Sequence, residues 1–556
     1  MLRATMTVLA KTSAELSSES VRSLYNQLIV RVKEISHLEA ASGLLQWDQE
    51  VMMPPKAADS RADQVSALAG LSHGLKSAPA LGSILEELEK RQAIQDLSAD
   101  LNPFEIANIR LSRKAIKDAT SLPSELVKTI AALNSKSCNA WAEARKESNF
   151  AKFAPFLEEQ IRTLREKVSY QMKAGICEEA RKINEKARVS LGLKDDEKCY
   201  KGYYQALIDE YEPGFKEDRL QLLFNDLKKN IVPLIAKIKA KNFQHDNSFL
   251  QGDFDVAKQT AYSHRIAKEI GFDTDAGRLD VSTHPFTGGP HPTDVRMTTR
   301  YTANYMMEGL TSTIHETGHS LYEQGRNPEY YDTPVSQALS LGVHESQSLL
   351  WERMVGLSRQ FWTYALPLLK EQFQEPSHQN LQAASAEQMY KAFNRVDPGF
   401  IRVEADEVTY PLHIILRYEI EKSLVEGDIT VAEIPNLWNA KMKEYLGLDV
   451  TEDRLGCLQD THWAFGLIGY FPTYTLGSIY AVQIFGAAKE AIPNLDEHLT
   501  KGEFHVLKKW LNENIHKQGS LRESGDDLIH HLTGKSLDSS LYVQYLTAKY
   551  TEIYDL

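Results

Sequence analysis

Cysteine is scarce in this chain. Cys138, Cys177, Cys199 and Cys457 are the only four in 556 residues, widely scattered and without CxxC spacing. That pattern excludes a disulfide framework and a zinc knuckle, and leads to the expectation of reduced thiols in an intracellular, cytoplasmic protein. No apolar run approaches the roughly 20 residues that a helix needs to cross a bilayer. Excess positive charge is missing too. Lys and Arg total 63 against 76 Asp and Glu, a net charge of −13, which argues against a general nucleic-acid surface and does not favour an anionic membrane. The chain lacks a repeat of fixed period, a low-complexity tract and an obvious flexible linker. The first fifteen residues are poor in acids, carrying Arg3 and Lys11 before Glu15, with Met6 as an alternative start. They read either as a short organelle transit segment or as a frayed tail; the apolar core is too short for a secretory signal.

What is present is ordinary for a globular protein, 42% hydrophobic and 25% charged. Apolar residues recur at three- and four-residue spacing through most of the chain. The pattern predicts helices over about 20–45, 63–71, 104–118, 123–145, 150–174 and 219–239. Pro and Gly fall between them, at Pro54-Pro55, Pro123, Pro213-Gly214 and Pro435. The expectation is a tail over 1–19 and one continuous helical body over 20–556. Within that body we expect an N-terminal helical lobe at roughly 20–250 and a catalytic lobe at roughly 251–556. The exception is 278–304. Arg278 to Phe286 and Asp294 to Tyr301 are extended in character, with Thr287-Gly288-Gly289-Pro290 between them as a turn, so a small β-ribbon is expected.

One segment names a chemistry. His315-Glu316-Thr317-Gly318-His319 lies in a helical apolar stripe with Ile314, Leu321 and Tyr322, and Gly325 is a plausible C-terminal stop. Residues four apart share a helix face, so both imidazoles can serve one metal ion, and Glu316 is placed to act as general base on a water there. A third ligand is needed, and Glu345 follows 26 residues after His319 in a second predicted helix. His-His-Glu is a known catalytic zinc set. Beside it, His344 is read either as a supporting or substrate contact or as a core histidine. The ribbon just before the metal helix suits a peptidase, since an edge strand can hold an extended peptide by main-chain bonds; a purely structural hairpin is the alternative.

Six segments in order carry a family resemblance. They are His284-Pro285-Phe286, Asp294 to Thr299, His315 to His319, His344-Glu345-Ser346-Gln347, Ile401 to Asp406, and Gly456 to Trp463. Trp47-Asp48-Gln49, Met53-Pro54-Pro55 and Tyr211-Glu212-Pro213-Gly214 join them. From about residue 20 to the end, the chain resembles the carboxypeptidase Taq family of HExxH metallocarboxypeptidases. Met297, where the family often has isoleucine, is a mild departure. The resemblance implies a mainly α, large elongated helical metallopeptidase fold with a deep central groove and a homodimeric assembly. It also implies release of single C-terminal residues with broad specificity. One divalent metal per subunit is implied, zinc first, with cobalt or manganese able to support activity; His2Glu ligands suit several such ions.

The site expected on this basis has His315, His319 and Glu345 on the metal and Glu316 as base. Tyr410 is the candidate oxyanion donor, because a phenol donates without adding full charge, and His413 can share the job. An exopeptidase must also bind the free C-terminal carboxylate. A guanidinium fits that planar anion, so Arg402 is the first choice and Arg296, on the ribbon, the second. The bland reading of Arg402 is an ion pair with Asp406 or Glu404. His462, beside Gln459, Asp460 and Trp463, is expected at a substrate wall, with Asp460 orienting a ligand histidine; a hydrogen-bonded knot is equally open. His284 lines the cleft or fixes a turn. Trp47 and Asp48 are left outside the site as a contact between lobes. An endo-acting zinc oligopeptidase is the rival enzyme, and a helical binding scaffold with a vestigial metal site the rival of another class.

Overall fold

The computed structural model describes residues 16, 17, 19–194 and 197–556. The first fifteen residues, on which the transit-segment expectation rests, lie outside them. Long helices dominate. Val21–Val51, Pro103–Ser121, Ser124–Glu147, Phe150–Lys173 and Glu217–Ala240 match the predicted segments within a few residues, and Ala58–Lys76 extends the predicted 63–71 at both ends. Local chemistry explains several boundaries. Ser20 caps the helix Val21–Val51 by accepting from Ser23 N, and Asn102 with Glu105 forms a capping box ahead of Pro103 at the first position of its helix.

Apolar packing follows two main bodies. A small cluster joins Leu16, Leu24, Leu28, Leu85, Leu88 and Ile109, all from the first 116 residues. The large core runs from Ala144 to Tyr554 and contains the helices that carry the candidate site. Among the described residues, no helix is long and apolar enough to cross a membrane.

The β element sits where the ribbon was expected, but it is a three-stranded mixed sheet. β1 (Gly277–Val281) runs parallel to the central β3 (Asp294–Thr299), and β2 (Thr287–His291) lies antiparallel on the other side of β3. The stretch read as a turn, Thr287 to Pro290, is therefore an edge strand, and the actual turn comes later, at 292–293. Its two glycines produced the misreading. Gly289 sits at φ +141° with Asp294 O against the place a Cβ would occupy, so the glycine serves a close backbone approach and a register shift, not a chain reversal.

Side chains on β3 alternate. Val295 and Met297 are buried, with Met297 Sδ beside Thr317 Oγ1 of the metal helix (3.8 Å). Arg296 faces the other way and stacks on Trp47, which it shares with Arg278 (4.6 and 5.0 Å to the ring). The sheet is thus clamped between the HExxH helix and the end of the helix Val21–Val51.

Candidate metal centre

The metal helix, Met306–Gln324, ends at Gly325 as its sequence predicts. Glu345 comes from the helix Leu341–Leu349, which continues directly into a π-helical turn, Leu350–Gly356. The two helices meet through a glycine. A Cβ at Gly318 would stand 2.5 Å from Gln347 O and 2.6 Å from Ser348 Cα, so only glycine permits this crossing. Gly477, on the helix Pro472–Ala491, does the same from the other side: a Cβ there would stand 2.7 Å from Glu345 Cγ.

These approaches bring His315, His319 and Glu345 together, with one ligand atom from each lying within 4.8 Å of the others. Glu345 Oε2 is 3.3 Å from His319 Nε2 and 3.9 Å from His315 Nε2. Two nitrogens and one carboxylate oxygen converging at this spacing fit a tetrahedral divalent ion with one position open. The ion-free electrostatics fit as well. Burial lowers the His315 pKa, yet Glu345 and Glu352 outweigh it and push the ring up to about 9. Glu345 is held below its ordinary value against burial by the two histidines. The His319 ring, by contrast, is lowered by burial and by the neighbouring His344.

Each histidine is held from behind, and differently. His315 Nδ1 bonds Glu352 Oε2 at 2.6 Å. His319 Nδ1 bonds His344 Nδ1 at 2.6 Å; His344 Nε2 meets Glu323 Oε1 at 2.9 Å, and Glu323 accepts from Arg326. Such partners fix ring orientation and raise ligand basicity. The supporting option for His344 is therefore the one the geometry favours. Glu352 was not foreseen, although it lies seven residues after Glu345, two turns along the same face, and that spacing was the available signal. Glu316 Oε2 accepts from Thr287 Oγ1 at 2.6 Å. Thr287 also escaped notice, because its segment read as a turn.

A second cluster stands next to the ligands. Arg402 donates from Nε and Nη2 to Asp460 Oδ1 (3.1 and 2.9 Å) and from Nη1 to Tyr410 Oη (3.2 Å). Arg417, fully buried, holds Asp460 Oδ2 from its Nε (2.7 Å) and Gln459 Oε1 from its Nη2 (2.8 Å). Asp460 thus clamps two arginines and orients no ligand histidine, and Asp406 instead accepts from Val408 N and Thr409 N. Burial, and the nearby Glu345 charge, raise the Tyr410 pKa, with Arg402 and Arg353 opposing, to about 12. The phenol keeps its proton.

The remaining candidates divide. His462 lies near Tyr474 Oη (3.4 Å) and packs on Phe471; burial lowers it to about 4 and keeps it neutral. Tyr470 and Tyr474 complete this aromatic wall, and burial raises both phenols, with Glu345 adding to the effect. Neither tyrosine was singled out in advance; Tyr470 precedes the helix Pro472–Ala491 and Tyr474 lies in its first turn, with the two rings 5.4 Å apart. The structure places His413 apart from the role expected beside Tyr410: it is fully buried, and burial with Arg417 lowers it to about 3. Arg296 is a correction of the same kind. It pairs with Asp294 (2.8 Å) and covers Trp47 on the sheet face opposite the metal helix. His284 is exposed on the turn between β1 and β2, where its carbonyl accepts from Ser282 Oγ (2.7 Å).

A helical body that brings two histidines of an HExxH helix and a glutamate of the next helix to one point defines a metallopeptidase architecture. Comparison with known proteins narrows it. The family model "Carboxypeptidase Taq (M32) metallopeptidase" matches residues 27–177 and 184–550. The chain is 36% identical to carboxypeptidase 1 of Bacillus subtilis, over 94% of this chain and 97% of that protein. It is also 36% identical to thermostable carboxypeptidase 1 of Thermus thermophilus, over 95% and 99%. Among solved structures, the M32 carboxypeptidase from Deinococcus radiodurans superposes with a TM-score of 0.86 at 32% identity, covering 96% of this chain and all of that one. The chain belongs to the carboxypeptidase Taq (M32) family and is a metallocarboxypeptidase.

Proposed function

We propose that this enzyme removes single residues from the free C-terminus of peptides with broad specificity, using His315, His319 and Glu345 to hold one zinc ion. Cobalt and manganese suit the same donors. When bound, a divalent ion there supplies Lewis acidity, lowering the pKa of water and polarising a carbonyl. The protein's own groups do the rest. Glu316, held by the Thr287 hydroxyl, takes the proton of the attacking water and passes it to the departing amine nitrogen. Tyr410 accepts from Arg402, which leaves its own proton free to donate to the oxyanion. Of the five N–H donors of Arg402, three are committed to Asp460 and Tyr410. The other two are assigned to the substrate's terminal carboxylate, and the wall of His462, Tyr470 and Tyr474 to its side chains. β2, an edge strand, is assigned the main chain.

The observation that carries this reading is Tyr410. It bonds Arg402 while lying in the field of Glu345, and so ties the carboxylate anchor to the metal end. The test is Glu316→Gln. The variant binds metal stoichiometrically, and kcat falls about 10^3-fold, as loss of a general base implies. Wild-type turnover with metal in place would sink the assignment. A homodimer is inferred from the family likeness, and sedimentation equilibrium checks it.

A further inference from the structure

Glu212 belongs to the Tyr211-Glu212-Pro213-Gly214 segment, which the mechanism above leaves without a role. It follows the helix Tyr203–Tyr211, and its carboxyl group is buried. Glu212 Oε1 accepts the N–H of Gly342, at the start of the helix that carries Glu345. The partners are 130 residues apart. The fit is close: a Cβ at 342 would stand 2.5 Å from Glu212 Oε1, so a larger residue there would have to push the Glu212 carboxyl group aside.

The same helix start is otherwise held only locally, by Ser340 Oγ accepting from Val343 N (3.1 Å). Gly477 connects this anchor to the ligand. A Cβ on Gly477 would meet Glu345 Cγ at 2.7 Å and Gly342 O at 3.3 Å, so both residues press on one patch of the helix Pro472–Ala491. Tyr480, one turn further along that helix, and Ser340 flank the Glu212 carboxyl group and hold its pKa down against the burial that raises it to about 8.

The first N–H groups of a helix have no partner within the helix, and an acceptor there fixes where the helix begins. Three residues later on the same helix stands Glu345, almost one full turn on. We propose that Glu212 is a positioning residue of the metal centre: by holding Gly342 N–H it sets the axial placement of the Glu345 helix, and with it the distance from Glu345 to His315 and His319. Glu212 touches neither metal nor substrate. The proposal rests on the metal-ligand reading of His315, His319 and Glu345.

The experiment measures zinc affinity by chelator competition, and the visible spectrum after Co2+ loading, for full-length wild type, Glu345→Gln, Glu212→Met and Glu212→Gln. Glu212→Met keeps the volume and removes the acceptor, whereas Glu212→Gln retains an oxygen for Gly342 N. We expect Glu212→Met to bind zinc at least tenfold more weakly, with a changed Co2+ spectrum and a lower kcat at a KM within threefold of wild type. Glu212→Gln is expected to stay within threefold in affinity. A folded Glu212→Met with wild-type zinc affinity and Co2+ spectrum overturns the proposal. If that variant does not fold, Glu212→Asp decides, because its shortened carboxyl group is drawn back from Gly342; unchanged affinity and spectrum overturn the proposal in the same way. Glu345→Gln separates the two layers. If it binds zinc as tightly as wild type, the ligand assignment fails; if it alone loses affinity, the role of Glu212 fails and the ligand assignment stands.

Discussion

The metal end and the arginine end of this site are neighbours built on opposite plans. At the metal end, His315, His319 and Glu345 bring one donor atom each to within 4.8 Å of the others, a spacing that could hold a metal ion. Every strong hydrogen bond there comes from behind, from Glu352 and from the His344–Glu323 pair. At the arginine end the partners already hold each other: Arg402 and Arg417 share the single carboxylate of Asp460, and Gln459 accepts from Arg417 and from the Arg402 backbone. Asp460 is held far below its ordinary pKa by those two guanidinium groups, in spite of burial. One end gathers donor atoms from three side chains; the other gathers two guanidinium groups around one carboxylate. The contrast suits a division of labour. Recognition gains from being organised before the ligand arrives, and chemistry needs an open position on the metal.

That contrast can be broken from either side. The largest effect is expected at the metal end. Removing metal with a chelator, or replacing His315 by Ala, abolishes peptide hydrolysis while leaving the arginine cluster folded; near-UV circular dichroism checks the second point. Next comes Arg402→Ala, expected to cut kcat/KM at least tenfold for free-acid peptides and much less for their amides. Equal losses would remove the anchor from Arg402. A smaller effect is expected from Gly318→Ala, where the added methyl forces the two ligand helices apart. Overpacking of this kind costs about 1–3 kcal/mol, read as a lowered Tm together with weakened metal binding.

The smallest effect concerns pH. The folded-state pKa of His413 lies at about 3, below the ordinary 6.5, because burial disfavours its charged form. Between these values the unfolded chain takes up a proton that the folded protein refuses. Stability therefore falls as pH drops below about 6.5, by up to about 1.4 kcal/mol per pH unit for one such histidine. His413→Leu should flatten that slope in urea unfolding between pH 7 and pH 5. An unchanged slope would show that His413 is not titrating on unfolding.

The same contrast describes what could be read from the chain. The cluster of His315, His319 and Glu345 was legible because HExxH places two of its members on one helix face, and a glutamate in the next helical stretch supplied the third. Their helices were legible from periodicity, and the stop at Gly325 from its residue type. The supports were not, since they depend on contacts between remote segments. Thr287 reaches Glu316 only because a glycine-rich segment pairs as β2, and Glu212 reaches Gly342 from 130 residues away. Arg296 was misplaced for a simpler reason. Strand alternation puts it on the face away from the metal helix, and which face of β3 met that helix was not visible until the sheet was assembled. His413 read as functional from its nearness to Tyr410 in sequence, but three residues along a buried helix carried it into the core.

On the proposed function, a metal centre and a carboxylate anchor together make this enzyme an exopeptidase. Mass spectrometry of one peptide, as free acid and as C-terminal amide, with and without chelator, tests it most directly. The expected result is a ladder shortened one residue at a time from the free acid, little or no product from the amide, and no ladder once metal is removed. Internal cleavage, equal hydrolysis of the amide, or a ladder that survives the chelator would contradict it.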